Sequence, residues 1–222
     1  GEDYKPSFTT RSTYTQIVNW ISFEKDTVPL KAGQTVQVNY TITAPKDVPS
    51  GGQYASIFAE TGAEKIESSV GTLSSKKRAG LLLRATVAGE TRQTGEVLGN
   101  SIPAWQTDSL RTTARIKNTG NVDAVAKVER TVESVVGGKK YNEETKEYIV
   151  YPATTRRVES VWNGPAEGGI YKVTQKVTFF GSTHVTTSTV VYSTPIGLAI
   201  VAGLSILIIV GIVYGLRRYA SR

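Results

Sequence analysis

Leu110-Arg111-Thr112-Thr113-Ala114-Arg115-Ile116-Lys117 sets Leu110, Thr112, Ala114 and Ile116 against Arg111, Thr113, Arg115 and Lys117. Successive side chains of a strand point to opposite faces, so a strict period of two specifies a strand with one face buried and one wet. Val36, Val38, Tyr40 and Ile42 alternate in the same way with Thr35, Gln37, Asn39, Thr41 and Thr43, and Tyr171, Val173, Val177 and Phe179 repeat the pattern. Ile17 to Phe23 and Ala79 to Ala88 read as further strands.

Turn signals punctuate these runs. Leu30-Lys31-Ala32-Gly33-Gln34 precedes one strand, Asn118-Thr119-Gly120-Asn121 ends another, and Gly137-Gly138 and Gly181-Ser182 mark tight hairpins. No window before residue 195 carries a helical period. Short strands separated by regular turns predict β-sandwiches. Apolar periodicity lapses over Gly89-Glu90-Thr91-Arg92-Gln93-Thr94-Gly95, which divides the β region into domains at 1–90 and 91–194. Few strands are evident before Val36, so the first domain reads as lacking its opening strands.

The only long apolar run is Ile196 to Leu216, IGLAIVAGLSILIIVGIVYGL, without a charge. At 1.5 Å per residue, about 20 apolar residues cross a hydrocarbon core of about 30 Å. The run is apolar on every face, so it reads as a transmembrane helix over 195–216. Arg217, Arg218 and Arg222 follow in a basic tail, 217–222. The positive-inside rule places that tail in the cytoplasm and residues 1–194 outside the cell membrane. Export needs a signal peptide, and the chain begins at Gly1 without Met or an apolar start, so it reads as processed or as a piece. The residues before the helix contain no LPxTG-type sorting sequence, so the helix is expected to be retained. Ala199, Gly203, Gly211 and Gly215 share one helix face, and the Gly211/Gly215 pair is a GxxxG motif, which makes this face a candidate contact for homo-oligomerisation.

Composition excludes several chemistries. The 222 residues contain no Cys and one His, so disulfides, thiolate sites and His-rich metal clusters are absent. Without Arg217, Arg218 and Arg222 the 26 basic residues fall to 23 against 19 acidic ones, a balance of +4 for the β region. A clustered basic face with stacking aromatics is missing, so nucleic acid is not an expected partner. His184, in Ser182-Thr183-His184-Val185-Thr186, reads as an exposed strand-end residue rather than the base of a nucleophilic triad. Glu143, Glu144 and Glu147 alternate with lysines and read as a solvated hairpin tip without the ligand spacing of a calcium loop. Neither a catalytic residue nor a cofactor is expected. Asn39-Tyr40-Thr41 matches the glycosylation pattern, but inside a strand. Lys76-Lys77-Arg78 is the sharpest basic cluster and a candidate contact for an anionic surface. Trp20 alternates with Val18 and reads as core, while Trp105 reads as packing between the domains.

Asn19-Trp20-Ile21-Ser22-Phe23 with LKAGQTVQVNYTITAPKDVPSGGQYASI (Leu30 to Ile57) resembles the immunoglobulin-like surface proteins of monoderm bacteria related to the WxL-interacting family. RAGLLLRATVAG (Arg78 to Gly89) resembles the end of the family's first domain, and Lys117 to Ala124 resembles the NxGN turn of bacterial immunoglobulin-like modules. The resemblance covers about two thirds of the chain, carried mostly by turn and strand patterns. It implies an all-β protein of two immunoglobulin-like β-sandwich domains followed by one transmembrane helix, and the missing opening strands of the first domain depart from the family's pattern. It further implies a non-enzymatic protein of the bacterial envelope whose partners are the lipid bilayer and cell-wall polymer or another surface protein. The alternative expectation is an accessory structural subunit of a secretion, pilus or surface-lattice assembly, with its helix packed against others.

Overall fold

The computed structural model describes residues 2–3, 12–62, 64–68, 71–165 and 168–220. The elements are strands β1 (Ile21–Phe23), β2 (Tyr40–Ile42), β3 (Gly51–Glu60), β4 (Glu64–Ser68), β5 (Gly71–Ser75), β6 (Arg78–Val87), β7 (Gly95–Ser101), β8 (Trp105–Thr107), β9 (Leu110–Asn118) and β10 (Ala124–Ser134). They continue as β11 (Lys140–Val150), β12 (Thr155–Trp162), β13 (Gly169–Phe179), β14 (Ser182–Ser193) and helix α1 (Pro195–Ala220). The chain is thus β-strands in several sheets followed by one apolar helix. It separates into two compact units, one of residues 6–93 with 120–122, the other of 1–5, 94–119 and 123–222.

In the C-terminal unit the strands lie in two sheets of order β11-β10-β13-β14-β8 and β12-β9-β7. β9 alternates as its sequence requires, with Leu110, Thr112, Ala114, Ile116 and Asn118 turned inward. Both sheets contribute to two apolar clusters. Ala114, Ile116, Val128, Val158, Val177 and Phe179 build one, and Ile102, Leu110, Val132, Tyr171, Val173, Val190 and Tyr192 the other. Burying each Val or Leu contributes about 1.5–3 kcal/mol, so these clusters are the main source of the unit's cohesion. The β13–β14 hairpin turns through Phe180 (φ 47°) and Gly181 (φ 76°), the two positive φ angles that a two-residue type I′ hairpin needs.

A polar layer separates the two clusters. Arg130 on β10 lies opposite Gln175 on β13, and Thr112 on β9 lies opposite Ser160 on β12. All four are buried. Each occupies an inward position flanked along its strand by apolar core residues.

The N-terminal unit differs from the sequence expectation. Thr13–Asn19 forms a 3-10 helix, and only Ile21–Phe23 of the expected strand is extended. The cause lies at Ser12. Its Oγ accepts from Tyr14 N at 3.2 Å, and Thr15 Oγ1 accepts from Ser12 N at 2.9 Å, a reciprocal cap that starts the helix. Ile17 and Trp20 are three residues apart, one 3-10 turn, so both reach the core. Gln53 on β3 fastens the helix, donating to Thr13 O at 2.8 Å and accepting from Ile17 N at 3.3 Å.

Its strands pair as β1-β2, β3-β6 and β4-β5, and its buried core comprises Ile17, Trp20 and Ala55. The alternation at Val36 to Ile42 predicts a half-buried strand, but all four apolar residues are 39–41% exposed and only Tyr40–Ile42 is a strand. The apolar face of this segment stays open rather than half-buried.

Candidate functional site

The helix α1 carries the clearest functional signal. Thr194 caps it, accepting from Leu198 N through its carbonyl at 2.9 Å and from Gly197 N through Oγ1 at 3.0 Å. Pro195 follows at the first helical position, where a missing N–H costs nothing. One residue therefore separates the last strand from the helix. Within Pro195–Arg218 an 18-residue stretch of the helix has a mean hydropathy of 2.9 with almost none of it buried, so it is long and apolar enough to cross a membrane. Ile196 and Leu216 both lie on it. Arg217 and Arg218 occupy its last turn, where cations also favour the helix dipole. Arg222 lies outside the described residues.

The small residues Ala199, Gly203, Gly211 and Gly215 all fall on α1. Among the described residues, no atom outside the local helix backbone comes within 4 Å of where a Cβ on Gly203 or Gly211 would sit.

Lys76, Lys77 and Arg78 lie where β5 gives way to β6, and β6 begins at Arg78. Glu60, at the end of β3, draws two of them in. Lys76 Nζ donates to Glu60 Oε1 at 2.9 Å, and Arg78 Nε donates to Oε2 at 2.9 Å, with Arg78 Nη2 on the same oxygen. The bonds from Arg78 and then Lys76 hold the Glu60 carboxyl below its usual range. Three cations against one carboxylate leave a local charge of +2, so the cluster is basic but partly neutralised. Lys77 holds the strand connection through its backbone, with N donating to Thr61 Oγ1 at 3.0 Å.

Several other expectations are corrected. Trp105 is 65% exposed on β8. Glu143, Glu144 and Glu147 lie along β11, and the hairpin tip is the preceding turn at 135–139. Glu144 turns toward the polar layer: its Oε2 lies 3.0 Å from Arg130 Nη2. Sequence reasoning missed Arg130, because a lone arginine in a strand ordinarily reads as solvated. The signal was available in its spacing, two residues from both Val128 and Val132. Trp20 is buried as expected, at the end of the 3-10 helix. His184 is exposed on β14, and its carbonyl accepts from Asn100 Nδ2 at 3.3 Å.

A shallow cleft of about 170 Å³ is lined by Val18, Ile21, Phe23, Ala55 and Phe58, below the about 300–1,000 Å³ usual for ligand pockets. Among the described residues, no three His, Asp or Glu side chains are grouped to hold a metal ion.

No protein-family model matches the chain, and no curated protein is similar to it. Among solved structures it is similar to a β-glucosidase from Erythrobacter marinus, with TM-score 0.34 and 13% identity over 45% of this chain and 16% of that one. A β-glucosidase from Listeria innocua, solved with isofagomine, gives TM-score 0.35 and 14% identity over 48% of this chain and 17% of that one. The matched region spans about a sixth of each glucosidase. A likeness this slight assigns neither fold nor activity.

Proposed function

We propose that this chain is a membrane-anchored binding protein of the bacterial cell envelope, with two immunoglobulin-like β regions held outside the membrane by α1. Its work is tethering: it contacts cell-wall polymer or another surface protein and ties that partner to the bilayer. The observation that carries this reading is the junction at Ser193-Thr194-Pro195, where a β unit passes within one residue into a helix apolar on all sides. Arg217 and Arg218 at the far end of α1 support an orientation with the C-terminus in the cytoplasm. The exposed, β-rich surface supports recognition by surface complementarity or strand addition at a free edge. The resemblance of Leu30 to Ile57 to the WxL-interacting proteins points the same way.

The test is co-sedimentation of the detergent-solubilised full chain with purified cell walls across a salt series. Pelleting with walls supports tethering, and its loss with salt assigns the contact to basic positions such as Lys76 to Arg78. A chain that stays in the supernatant at every salt concentration, and captures no envelope protein on cross-linking in cells, refutes the tethering role.

A further inference from the structure

Hairpin tips are ordinarily polar, since their backbone is solvated and their turns are built from Gly, Asn, Asp and Ser. The tip between β10 and β11 meets the turn requirement with Gly137 (φ 78°) and Gly138 (φ 63°). Its other residues break the rule: Val135 and Val136 precede the glycines, and Lys139 and Lys140 follow them. Val136 is 81% exposed, more than any described apolar side chain of α1. Two adjacent valines held out on a turn have no role in the core of their own unit.

The strand register places this tip. Ser134 pairs with Tyr171, and Val135 N donates to Ile170 O at 3.0 Å. Gly169 at the start of β13 pairs with Tyr192 on β14. Tyr192 is three residues before Pro195, a rise of about 10 Å along the strand. Val136 is two residues beyond Ser134, so the tip reaches the end of the sheet from which α1 departs. On the other side of β14, exposed Trp105 pairs with Val191. The helix leaves the sheet between an exposed Val-Val-Gly-Gly-Lys-Lys tip and an exposed tryptophan.

We infer that the β10–β11 tip is a second membrane contact, with Val135 and Val136 seated in the headgroup layer of the leaflet that α1 enters and Lys139 and Lys140 on anionic lipid headgroups. The inference rests on the reading of α1 as a membrane span. The headgroup layer is about 5–7 Å deep on each side of the hydrocarbon, so a tip about 10 Å short of Pro195 enters it when the sheet leans toward that leaflet. Apolar side chains flanked by lysines suit that layer, because the lysine stems cover apolar surface while their ammonium groups stay in the wet, negatively charged zone. Lys139 Nζ lies 4.9 Å from the Tyr141 ring centre, and Lys140 Nζ is 4.0 Å from Glu133. With Lys172 opposite Glu133 in the register and Asp108 just beyond β8, the described residues at this end of the sheet include three lysines against two carboxylates, a net positive surface. The tip and α1 together would fix the tilt of the C-terminal unit on the membrane, which a single helix alone leaves free.

The chain has no cysteine, so single cysteines introduced by Val136→Cys, Ser182→Cys and Ser205→Cys can each carry a polarity-sensitive fluorophore on the full chain. Ser205 lies within α1 and Ser182 begins β14 at the opposite end of the sheet. The labelled proteins are reconstituted in phosphatidylcholine vesicles with or without phosphatidylserine and quenched by nitroxide lipids. The inference expects quenching and a blue shift at 205 and at 136, none at 182, and a stronger effect at 136 with phosphatidylserine. Lys139→Gln combined with Lys140→Gln should remove that phosphatidylserine dependence. Quenching at 205 with a label at 136 as water-exposed as that at 182 overturns the inference and leaves the anchor intact. No quenching at 205 overturns the anchor and the tip contact together.

Discussion

Arg130 Nη2 stands 3.0 Å from Glu144 Oε2, with the arginine side chain 1% exposed and the glutamate 24% exposed. The pair lies between the two apolar clusters of the C-terminal unit. Nη2 also donates to Asn142 Oδ1 at 3.0 Å and to Val161 O at 3.3 Å, and the latter bond links the two sheets. The pairing is incomplete: Arg130 Nε and Nη1, Gln175 Oε1 and Thr112 Oγ1 are buried without a hydrogen bond. Burial lowers the arginine pKa, with the Glu144 charge opposing that shift. A guanidinium keeps its proton in proteins nevertheless, so this core contains a permanent charge that its neighbours only partly satisfy.

The two partners should therefore respond asymmetrically. Glu144→Ala leaves the buried guanidinium without a counter-charge and is expected to cost about 3 kcal/mol. Arg130→Met removes the buried charge, while Glu144 keeps Lys146 at 2.6 Å and access to water. That variant is expected to be neutral or more stable by about 1 kcal/mol or more. Urea midpoints of the full chain in detergent, followed by circular dichroism, measure both. Equal destabilisation by the two variants would contradict this account.

Asn121 anchors the close of the N-terminal unit. Its Oδ1 accepts from Arg92 N at 2.6 Å, and its Nδ2 donates to Glu90 O at 2.9 Å and to Ser50 O at 3.2 Å. At about 1 kcal/mol net per bond, Asn121→Ala should ease local opening of residues 89–93 by about 2–3 kcal/mol. Tryptic cleavage after Arg92 should then accelerate by about tenfold or more. Asn121→Asp retains the acceptor and should fall between the two.

The parts of the fold that could be read from sequence are those where one period controls burial. β9 and β13 alternate and are covered on one face, so their period suffices. Arg130 and Gln175 interrupt that pattern on neighbouring strands, and only the register shows that they face each other inside the core. In the N-terminal unit a strand would put Val18 on the face of Trp20, whereas a 3-10 turn puts Ile17 there, and the Ser12–Thr15 cap favours the turn. The long apolar helix was legible because a run of that length without a charge specifies it directly. The pairing of Lys76 and Arg78 with Glu60 was not, because the partners lie 16 and 18 residues apart along the chain. The Val135-Val136 tip was legible as a turn, but its position at the α1 end depends on the pairing of three strands.

Acid should weaken the molecule through identifiable carboxylates. The Glu129 carboxyl is held below its ordinary value of 4.5, first by the bond from Lys127 and then by that from Lys176. Arg78 and Lys76 lower Glu60 in the same way. A carboxyl with a lowered folded pKa binds fewer protons folded than unfolded, so its contribution is complete above about 4.5 and fades as pH falls through the folded value. Stability should be flat from neutral pH to about 5 and decline below about 4. Glu129→Gln should make that decline shallower, as urea midpoints at successive pH values would reveal. Because both carboxylates are solvent-accessible, the effect should also shrink in high salt.

The anchor makes the last prediction. Leu207 sits midway along α1, and a lysine at the centre of a spanning helix costs about 2.5–3.5 kcal/mol for insertion. Leu207→Lys should thus shift partition out of the membrane by about 100-fold. After alkaline extraction of membranes the parent chain should remain in the pellet and the variant should appear in the supernatant. Leu207→Ile, equal in volume and hydrophobicity, should behave as the parent. If Leu207→Lys remained fully membrane-bound while the label at 205 showed no contact with lipid, α1 would be held by another protein rather than by the bilayer.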